Sequence, residues 1–165
     1  MRYLDGIEYV QATKHILLAA MFAKQSKCLR SRCGSVIVNN GEVIGRGWNS
    51  PPGDIKPARC IKDLLPAGFK SDRHCCVHAE QRAIKDALER NPGRVKGARL
   101  YFIRLDDQGT IKRSGKPYCT QCSKEALDNG LAEFVLYHDQ GICVYDTKEY
   151  NELSFAYRPE QEAAK

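Results

Sequence analysis

The sequence lacks any hydrophobic run long enough to cross a membrane. Its longest unbroken apolar stretch is eight residues, Ile16 to Ala23, whereas a membrane-spanning helix needs about 20. It also has no internal repeat and no low-complexity tract. We therefore expect a cytoplasmic protein with no signal peptide and no membrane partner.

What the sequence does contain is enough apolar material for one core. The chain has 165 residues, of which 42% are hydrophobic, and this suits a single domain of the usual size, roughly 100 to 200 residues. Lysine and arginine number 26 and aspartate and glutamate 20, which gives a net charge of +6. The excess of positive charge favours an anionic partner, either a nucleotide or a nucleic acid, without choosing between them.

Cysteine is the most informative residue type. The chain has eight: Cys28, Cys33, Cys60, Cys75, Cys76, Cys119, Cys122 and Cys143. Because no secretory segment is expected, reduced thiols or metal ligands are favoured over a disulfide framework. A cytoplasmic metalloprotein is therefore the first hypothesis.

Hydrophobic periodicity predicts alternating helices and strands. Helices are predicted at Tyr9–Lys24, His78–Arg90, Cys119–Asn129 and Thr147–Leu153. Strands are predicted at Ala98–Arg104, Glu133–Tyr137 and Gly141–Tyr145, and as a hairpin over Ser35–Asn49 around an Asn-Gly turn. In the first helix the apolar stripe is expected to hold Val10, Leu17 and Met21 beside Ile16, Ala20 and Ala23. The alternation implies an α/β layer fold with a mixed sheet.

The organisation along the chain is expected to be simple. Residues 1–165 form one domain, in which residues 50–76 are a long insertion loop and residues 158–165 a polar tail. Loops of such length in compact domains are usually functional or mobile.

Two short motifs carry the chemistry. His78-Ala79-Glu80 opens one predicted helix, and Cys119-Thr120-Gln121-Cys122 opens another. Two thiolates and an imidazole are three ligands of the kind that zinc prefers, and three protein ligands leave a fourth position open. Glu80, two residues from a ligand, is then the candidate general base. The alternatives are a redox CxxC and a closed structural zinc site with Cys75 or Cys76 as fourth ligand.

The two motifs together resemble the zinc signature of the cytidine deaminase superfamily, and the chain is most similar to the deoxycytidylate (dCMP) deaminases. The resemblance runs from about Ala19 to Tyr137. It includes Cys28-Leu-Arg-Ser-Arg-Cys-Gly-Ser-Val-Ile-Val38, Gly45-Arg-Gly-Trp-Asn49 and His78-Ala-Glu-Gln-Arg-Ala-Ile84. It implies a three-layer α/β/α sandwich with a mixed, about five-stranded sheet, and a homo-oligomer.

The resemblance also implies a reaction and its residues. His78, Cys119 and Cys122 would hold Zn²⁺, and Glu80 would move protons during hydrolysis of a cytosine nucleotide to the uracil nucleotide and ammonia. Asn49 would hydrogen-bond the sugar, and the backbone N–H of Ala79 would meet the pyrimidine carbonyl.

Three departures from the family pattern stand out. Tyr118 separates Pro117 from Cys119, where the family has proline directly before the cysteine. Arg82 takes a position where asparagine is usual, and the region after Tyr137 differs from the family's final strand and helix. These departures bear on the substrate and the assembly more than on the chemistry.

Two further expectations concern charge and metal. Arg30 and Arg32 are the expected partners of a substrate phosphate, because arginine pairs with phosphate oxygens in a bidentate manner. For the second cluster, at Cys60, His74, Cys75 and Cys76, buried free thiols are expected, with a second metal site as the alternative.

Three functions follow in order of preference. The first is a zinc hydrolase acting on a free cytosine nucleotide of the dCMP or CMP kind. The second is a tRNA adenosine deaminase or other nucleic-acid base deaminase, for which a continuous positive stripe is expected. The third is a non-catalytic zinc-binding module, for which a closed coordination shell is expected.

Overall fold

The computed structural model describes residues 1–65 and 75–158. Its four helices are α1 (Gly6–Ala23), α2 (Ala79–Arg90), α3 (Thr120–Asp128) and α4 (Thr147–Ala156). Its strands are β1 (Arg2–Tyr3), β2 (Arg32–Asn39), β3 (Glu42–Trp48), β4 (Arg99–Leu105), β5 (Ile111–Lys112), β6 (Glu133–His138) and β7 (Gly141–Asp146).

The strands form one mixed sheet in the order β1-β7-β6-β4-β2-β3, with β5 paired to β4 outside this path. The β4–β6 pair is parallel, and the other pairs are antiparallel. Five strands are long, as expected, and the two-residue strands β1 and β5 bring the total among the described residues to seven.

Successive side chains along each strand point to opposite faces of the sheet, and both faces are apolar. Val36 and Ile103 face α1 in one buried cluster. Ile37, Leu100 and Phe134 belong to the other cluster, which they share with side chains of α2, α3 and α4. The three-layer α/β/α sandwich is therefore confirmed.

The predicted hairpin is present at β2 and β3. Its turn is made by Asn40 and Gly41, whose φ angles are +50° and +78°. A two-residue turn of this kind needs positive φ at both positions, and asparagine and glycine tolerate it best.

Helix α1 begins three residues earlier than predicted, and the prediction of its buried face was partly wrong. Ile16, Ala20 and Ala23 are buried as expected, whereas Val10, Leu17 and Met21 are 57%, 55% and 62% exposed. The remaining buried residues of α1 are alanines, Ala12 and Ala19. Small side chains let the helix lie close to the sheet, and among its larger apolar residues Ile16 is buried while Leu18 and Phe22 pack at the edge of the cluster.

Close packing of helices on the sheet depends on glycine. A Cβ added at Gly47 would lie 2.3 Å from the carbonyl oxygen of Ala79 and 2.5 Å from the backbone nitrogen of Ala83. One added at Gly45 would lie 2.4 Å from the Ala83 carbonyl oxygen, and one at Gly34 would lie 2.0 Å from that of Ala19. Backbone therefore touches backbone where α2 crosses β3 and where α1 crosses β2.

In the second half of the chain the predicted bounds agree with the structure to within one residue, except that α4 ends at Ala156, three residues beyond the predicted Leu153. α3 is followed by Gly130, which has a φ of +73°, and β7 leads directly into α4 as the sequence predicted. Within the described residues, none of the helices has both the length and the apolar character that crossing a bilayer requires.

The close contact at Gly47 predicts how a substitution there changes the free energy of unfolding. Gly47→Ala should destabilise the fold by about 1–3 kcal/mol, because backbone atoms on both sides must move apart. Gly93→Ala is the matched control, since a Cβ there meets nothing within 4 Å, and it should change stability by less than about 0.5 kcal/mol. Urea unfolding of both variants measures the difference, and equal midpoints would contradict the close-packing argument.

Candidate functional site

Three ligand-type side chains meet where α2 and α3 begin. His78 directly precedes α2, Cys119 directly precedes α3, and Cys122 lies in the first turn of α3. His78 Nδ1 is 3.1 Å from Cys122 Sγ and 3.4 Å from Cys119 Sγ, and the two sulfurs are 3.0 Å apart. The fold thus brings together the two motifs that the sequence singled out.

This donor set fits one zinc ion. Atoms so close together can all contact an ion at the usual zinc bond lengths of about 2.0–2.3 Å. Among the described residues, these three form the one group of ligand-type side chains whose donor atoms all lie within 4.8 Å of one another. Neither Cys75 nor Cys76 belongs to the group, so residues 1–65 and 75–158 supply three donors rather than four, as in catalytic zinc sites.

The environment of the two thiols favours negative charge on Cys119. The Cys122 side chain, followed by His78, lowers the pKa of the Cys119 thiol to about 4 by hydrogen bonding to its thiolate. The backbone N–H of Cys122 also donates to Cys119 Sγ, at 3.4 Å. The Cys119 thiolate and burial raise the pKa of Cys122 in turn. A free N–H group in the first turn of a helix is a favourable partner for an anionic sulfur.

Glu80 lies in the first turn of α2, against this cluster. It is only 5% exposed, and burial, together with the negative charge of Cys119, raises its pKa to about 7. Its carboxyl group also interacts with the side chain of Cys122. A buried carboxyl group beside three donor atoms is placed to exchange protons with whatever occupies the centre of the cluster.

A cavity of about 200 Å³ opens onto the cluster. His78, Ala79 and Glu80 form its floor, and Asn49, Phe102 and Tyr118 contribute to its walls. Ala79 is the first residue of α2, so its N–H is one of the donors that have no partner within the helix. We refer to this space as the base cavity.

Asn49 lines the base cavity, and its side chain also forms hydrogen bonds to the segment that leads into β2. Its Oδ1 accepts hydrogen bonds from the Ser26 hydroxyl at 2.8 Å and from the backbone N–H of Cys33 at 2.7 Å. Its Nδ2 donates to the carbonyl oxygen of Ser31 at 2.8 Å. The amide therefore anchors the segment before β2 and keeps one N–H for a ligand.

The two arginines expected to bind phosphate are both engaged within the chain. Arg30 lines the base cavity, where its Nε donates to Asp63 at 3.1 Å. Arg32 lies outside the lining, and its guanidinium donates to the carbonyl oxygens of Asp106 and Asp107 at 2.9 and 3.3 Å. Arg32 is thus a structural link between β2 and the turn after β4.

The two departures near the motifs have structural explanations. Arg82 donates to the carbonyl oxygens of Ser50 and Pro51, at 3.3 and 3.0 Å, and so fastens the loop after β3 to α2. Tyr118 projects beside the site, is 56% exposed, and packs against Tyr157 with ring centroids 5.9 Å apart.

The second cysteine cluster is only partly described. Cys60 Sγ lies 3.6 Å from Cys75 Sγ, which lies 3.8 Å from Cys76 Sγ. His74 lies outside the described residues. Within the described part of the chain these three sulfurs do not all lie within 4.8 Å of one another, as the donor atoms of the first cluster do, and a second metal stays a prediction.

Sequence reasoning did not single out five residues that line the base cavity: Cys28, Ser31, Cys33, Lys62 and Phe102. Phe102 belongs to a strand that was expected to be buried on both faces, and the chain carries no local signal that one of its side chains reaches a cavity. Lys62 lies in the insertion, which has no periodicity from which to place it.

Comparisons with known proteins agree with this geometry. Residues 10–138 match the family model of the cytidine and deoxycytidylate deaminase zinc-binding region. Deoxycytidylate deaminases of Schizosaccharomyces pombe and Saccharomyces cerevisiae are 28% and 29% identical over 128 and 123 residues, which are 73% and 72% of this chain. The chain spans about a third of the length of these curated relatives, 34% in each case.

Solved structures share the fold. The dCMP deaminase of cyanophage S-TIM5 in complex with dCMP and dUMP aligns with a TM-score of 0.54 at 23% identity, over 79% of this chain and 82% of its own. The cytidine deaminase of Burkholderia pseudomallei aligns with a TM-score of 0.55 at 18% identity, over 84% of this chain and 94% of its own.

The family match covers most of the chain and includes both motifs that converge at the start of α2 and α3. This chain therefore belongs to the cytidine and deoxycytidylate deaminase zinc-binding family.

Proposed function

We propose that this chain catalyses the hydrolytic deamination of a cytosine nucleotide of the dCMP or CMP kind, giving the uracil nucleotide and ammonia. The observation that carries the proposal is the position of Glu80, which is buried at the floor of the base cavity and in contact with a three-donor cluster. The curated relatives of similar sequence, both named deoxycytidylate deaminases, support the same substrate class.

In this proposal His78, Cys119 and Cys122 hold the zinc ion. When bound, zinc supplies a Lewis acid that makes water nucleophilic at neutral pH. Two thiolate ligands balance the ion's charge and so reduce this effect, which is why a base beside the cluster is needed.

Glu80 performs the proton transfers. Its carboxylate takes a proton from the attacking water and gives it to N3 of the cytosine as the new C4–O bond forms. It then takes the second proton of that oxygen and gives it to the amine, so that the C4–N bond breaks and ammonia leaves. The backbone N–H of Ala79 would fix the ring through its carbonyl oxygen, and the remaining N–H of Asn49 would meet the sugar.

A non-catalytic zinc module would require a closed coordination shell. The three-donor set within the described residues, together with a cavity leading to it, favours the catalytic alternative. Assembly into a homo-oligomer and a cytoplasmic location stay predictions, the first to be tested by light scattering on the purified protein.

Ammonia release across a panel of substrates tests the function. The zinc-loaded protein should deaminate dCMP or CMP with a higher kcat/KM than deoxycytidine or any adenine nucleotide. Activity confined to a structured RNA would instead support the tRNA-editing alternative, and no activity on any member of the panel would remove the proposal.

Zinc content tests the ligand set. The purified protein should contain about one zinc per chain, or two if the second cysteine cluster also binds, as measured by plasma mass spectrometry. Cys119→Ala should lose the catalytic ion, because two donors remain and one is an unpaired thiolate. Cys143→Ala removes a buried thiol of β7 and should retain zinc. Full zinc content in Cys119→Ala would refute the assignment.

If Glu80 transfers protons, its replacement should lower turnover without removing zinc. Glu80→Gln keeps the size of the side chain but cannot accept a proton, so zinc should remain while turnover falls by at least about 10²- to 10⁴-fold. Glu89→Gln makes the same chemical change at the exposed far end of α2 and should leave ammonia release within twofold of the unaltered protein. Near-normal turnover in Glu80→Gln would exclude the mechanism.

A further inference from the structure

A second cavity lies beside the base cavity, on the other side of Tyr118. Its volume is about 410 Å³, and it shares Glu80, Phe102 and Tyr118 with the base cavity. Its other lining residues come from the end of β4, from β5 and the segment that leads to α3, from Cys119, from Leu136 of β6, and from Tyr150 and Tyr157 within and after α4. We call it the basic cavity, because four cations line it: Arg104, Lys112, Arg113 and Lys116.

Carboxylates of the described residues do not balance the charge of this cavity. Glu80 is the one carboxylate among its described lining residues, and its carboxyl group lies against the donor cluster. Throughout residues 1–65 and 75–158, no carboxylate forms an ion pair with any of the four cations. By contrast, Arg30 is paired with Asp63.

The arrangement of two of the cations is unfavourable without an anion. Arg104 of β4 and Lys112 of β5 are direct cross-strand partners, and like charges directly opposite each other destabilise a strand pair. An anion placed between them would turn this repulsion into two charge-assisted contacts.

The backbone that carries the cations is held in place. Within the turn after β4, the N–H of Asp106 donates to the carbonyl of Thr110 at 2.9 Å, and the N–H of Thr110 donates to Asp106 Oδ1 at 2.8 Å. The guanidinium of Arg113 lies over the ring of Tyr137, 3.4 Å from its centroid. A rigid hairpin therefore presents the positive charge, at low entropic cost for binding.

We propose that the basic cavity binds the 5′-phosphate of the nucleotide whose cytosine reaches Glu80. This inference rests on the proposed function and names the side chains that select a nucleotide over a nucleoside. Arg104, Lys112 and Lys116 are the phosphate partners, in place of Arg30 and Arg32, which the chain uses for its own contacts. The two cavities meet at Tyr118, so that one small molecule spans both.

The decisive variant is Arg104→Gln/Lys112→Gln, which removes the opposed cations. Both side chains are exposed, so the fold should be kept. Lys14→Gln/Lys24→Gln is the matched control, because it removes two charges from α1 and its end, on the opposite face of the sheet. For each protein, kcat/KM is measured for dCMP and for deoxycytidine.

The ratio of the two kcat/KM values, dCMP over deoxycytidine, should fall about tenfold or more in Arg104→Gln/Lys112→Gln, as expected for the loss of charged contacts. It should stay unchanged in the control. An unchanged ratio in both variants would overturn the proposal. A loss confined to a cytosine-containing oligonucleotide, with dCMP unaffected, would also overturn it and would assign the cavity to a phosphodiester.

Direct binding separates this proposal from the proposed function. Calorimetry with the zinc-loaded protein compares dUMP with deoxyuridine, which differ only in the phosphate, and inorganic phosphate serves as competitor. Weaker binding of dUMP to Arg104→Gln/Lys112→Gln, by about tenfold, supports the phosphate site even if no substrate of the panel is deaminated. Equal binding of dUMP to all three proteins overturns it, whatever the activity.

Discussion

The direct contact between the backbones of α2 and β3 is the constraint on which the rest of the site depends. Because Gly45 and Gly47 carry no side chain, α2 lies against the strand at a distance that a single methyl group would prevent. Ala79 and Ala83 on the helix are matched to this approach. The height of α2 above the sheet sets the position of its first turn, and that turn carries His78 and Glu80. A packing requirement in the core is thus also a requirement on the chemistry.

The loops around the site are fastened by polar side chains that hold backbone groups. Asn49 holds the segment before β2, and Arg82 holds the segment after β3. A short antiparallel bridge between Ser50 and Val77 joins the loop after β3 to the approach to α2. The site is therefore assembled from irregular segments, but each segment is tied to a helix or strand. Such ties keep donor atoms within the small tolerances that catalysis requires.

The sequence predicted correctly those features that depend on residues close together in the chain. The Asn-Gly turn, the helices that follow His78 and Cys119, and the alternation that makes a layered sheet each depend on a few neighbouring residues. The CxxC spacing also predicted both sulfurs of the cluster, since the side chain of the residue that caps a helix lies beside the residue three positions later. The buried face of α1 was predicted less well. Two apolar stripes run side by side along this helix, and periodicity alone does not show that the one rich in alanine faces the sheet.

What the sequence did not reveal depends on contacts between distant segments. Arg32 looked free for a ligand, but its guanidinium meets two carbonyl groups more than 70 residues away. Asn49 likewise has partners on a segment that periodicity does not place. β5, at two residues, is too short to leave a strand pattern, so the alignment of Arg104 with Lys112 appeared only with the fold. Residues that select a substrate are often brought together in this way, by the pairing of strands rather than by a short sequence motif.

The short hairpin after β4 has an evolutionary consequence. It leaves the sheet at β4 and returns just before Cys119, and it carries charge without contributing a donor to the cluster. Apart from Ile111, which packs against the core, its side chains can therefore vary or change sign with little effect on the core or on the donor atoms of the cluster. On the proposal that this hairpin selects the phosphate, substrate range is modular: altering one surface loop changes the preference while the donor atoms of the cluster stay in place.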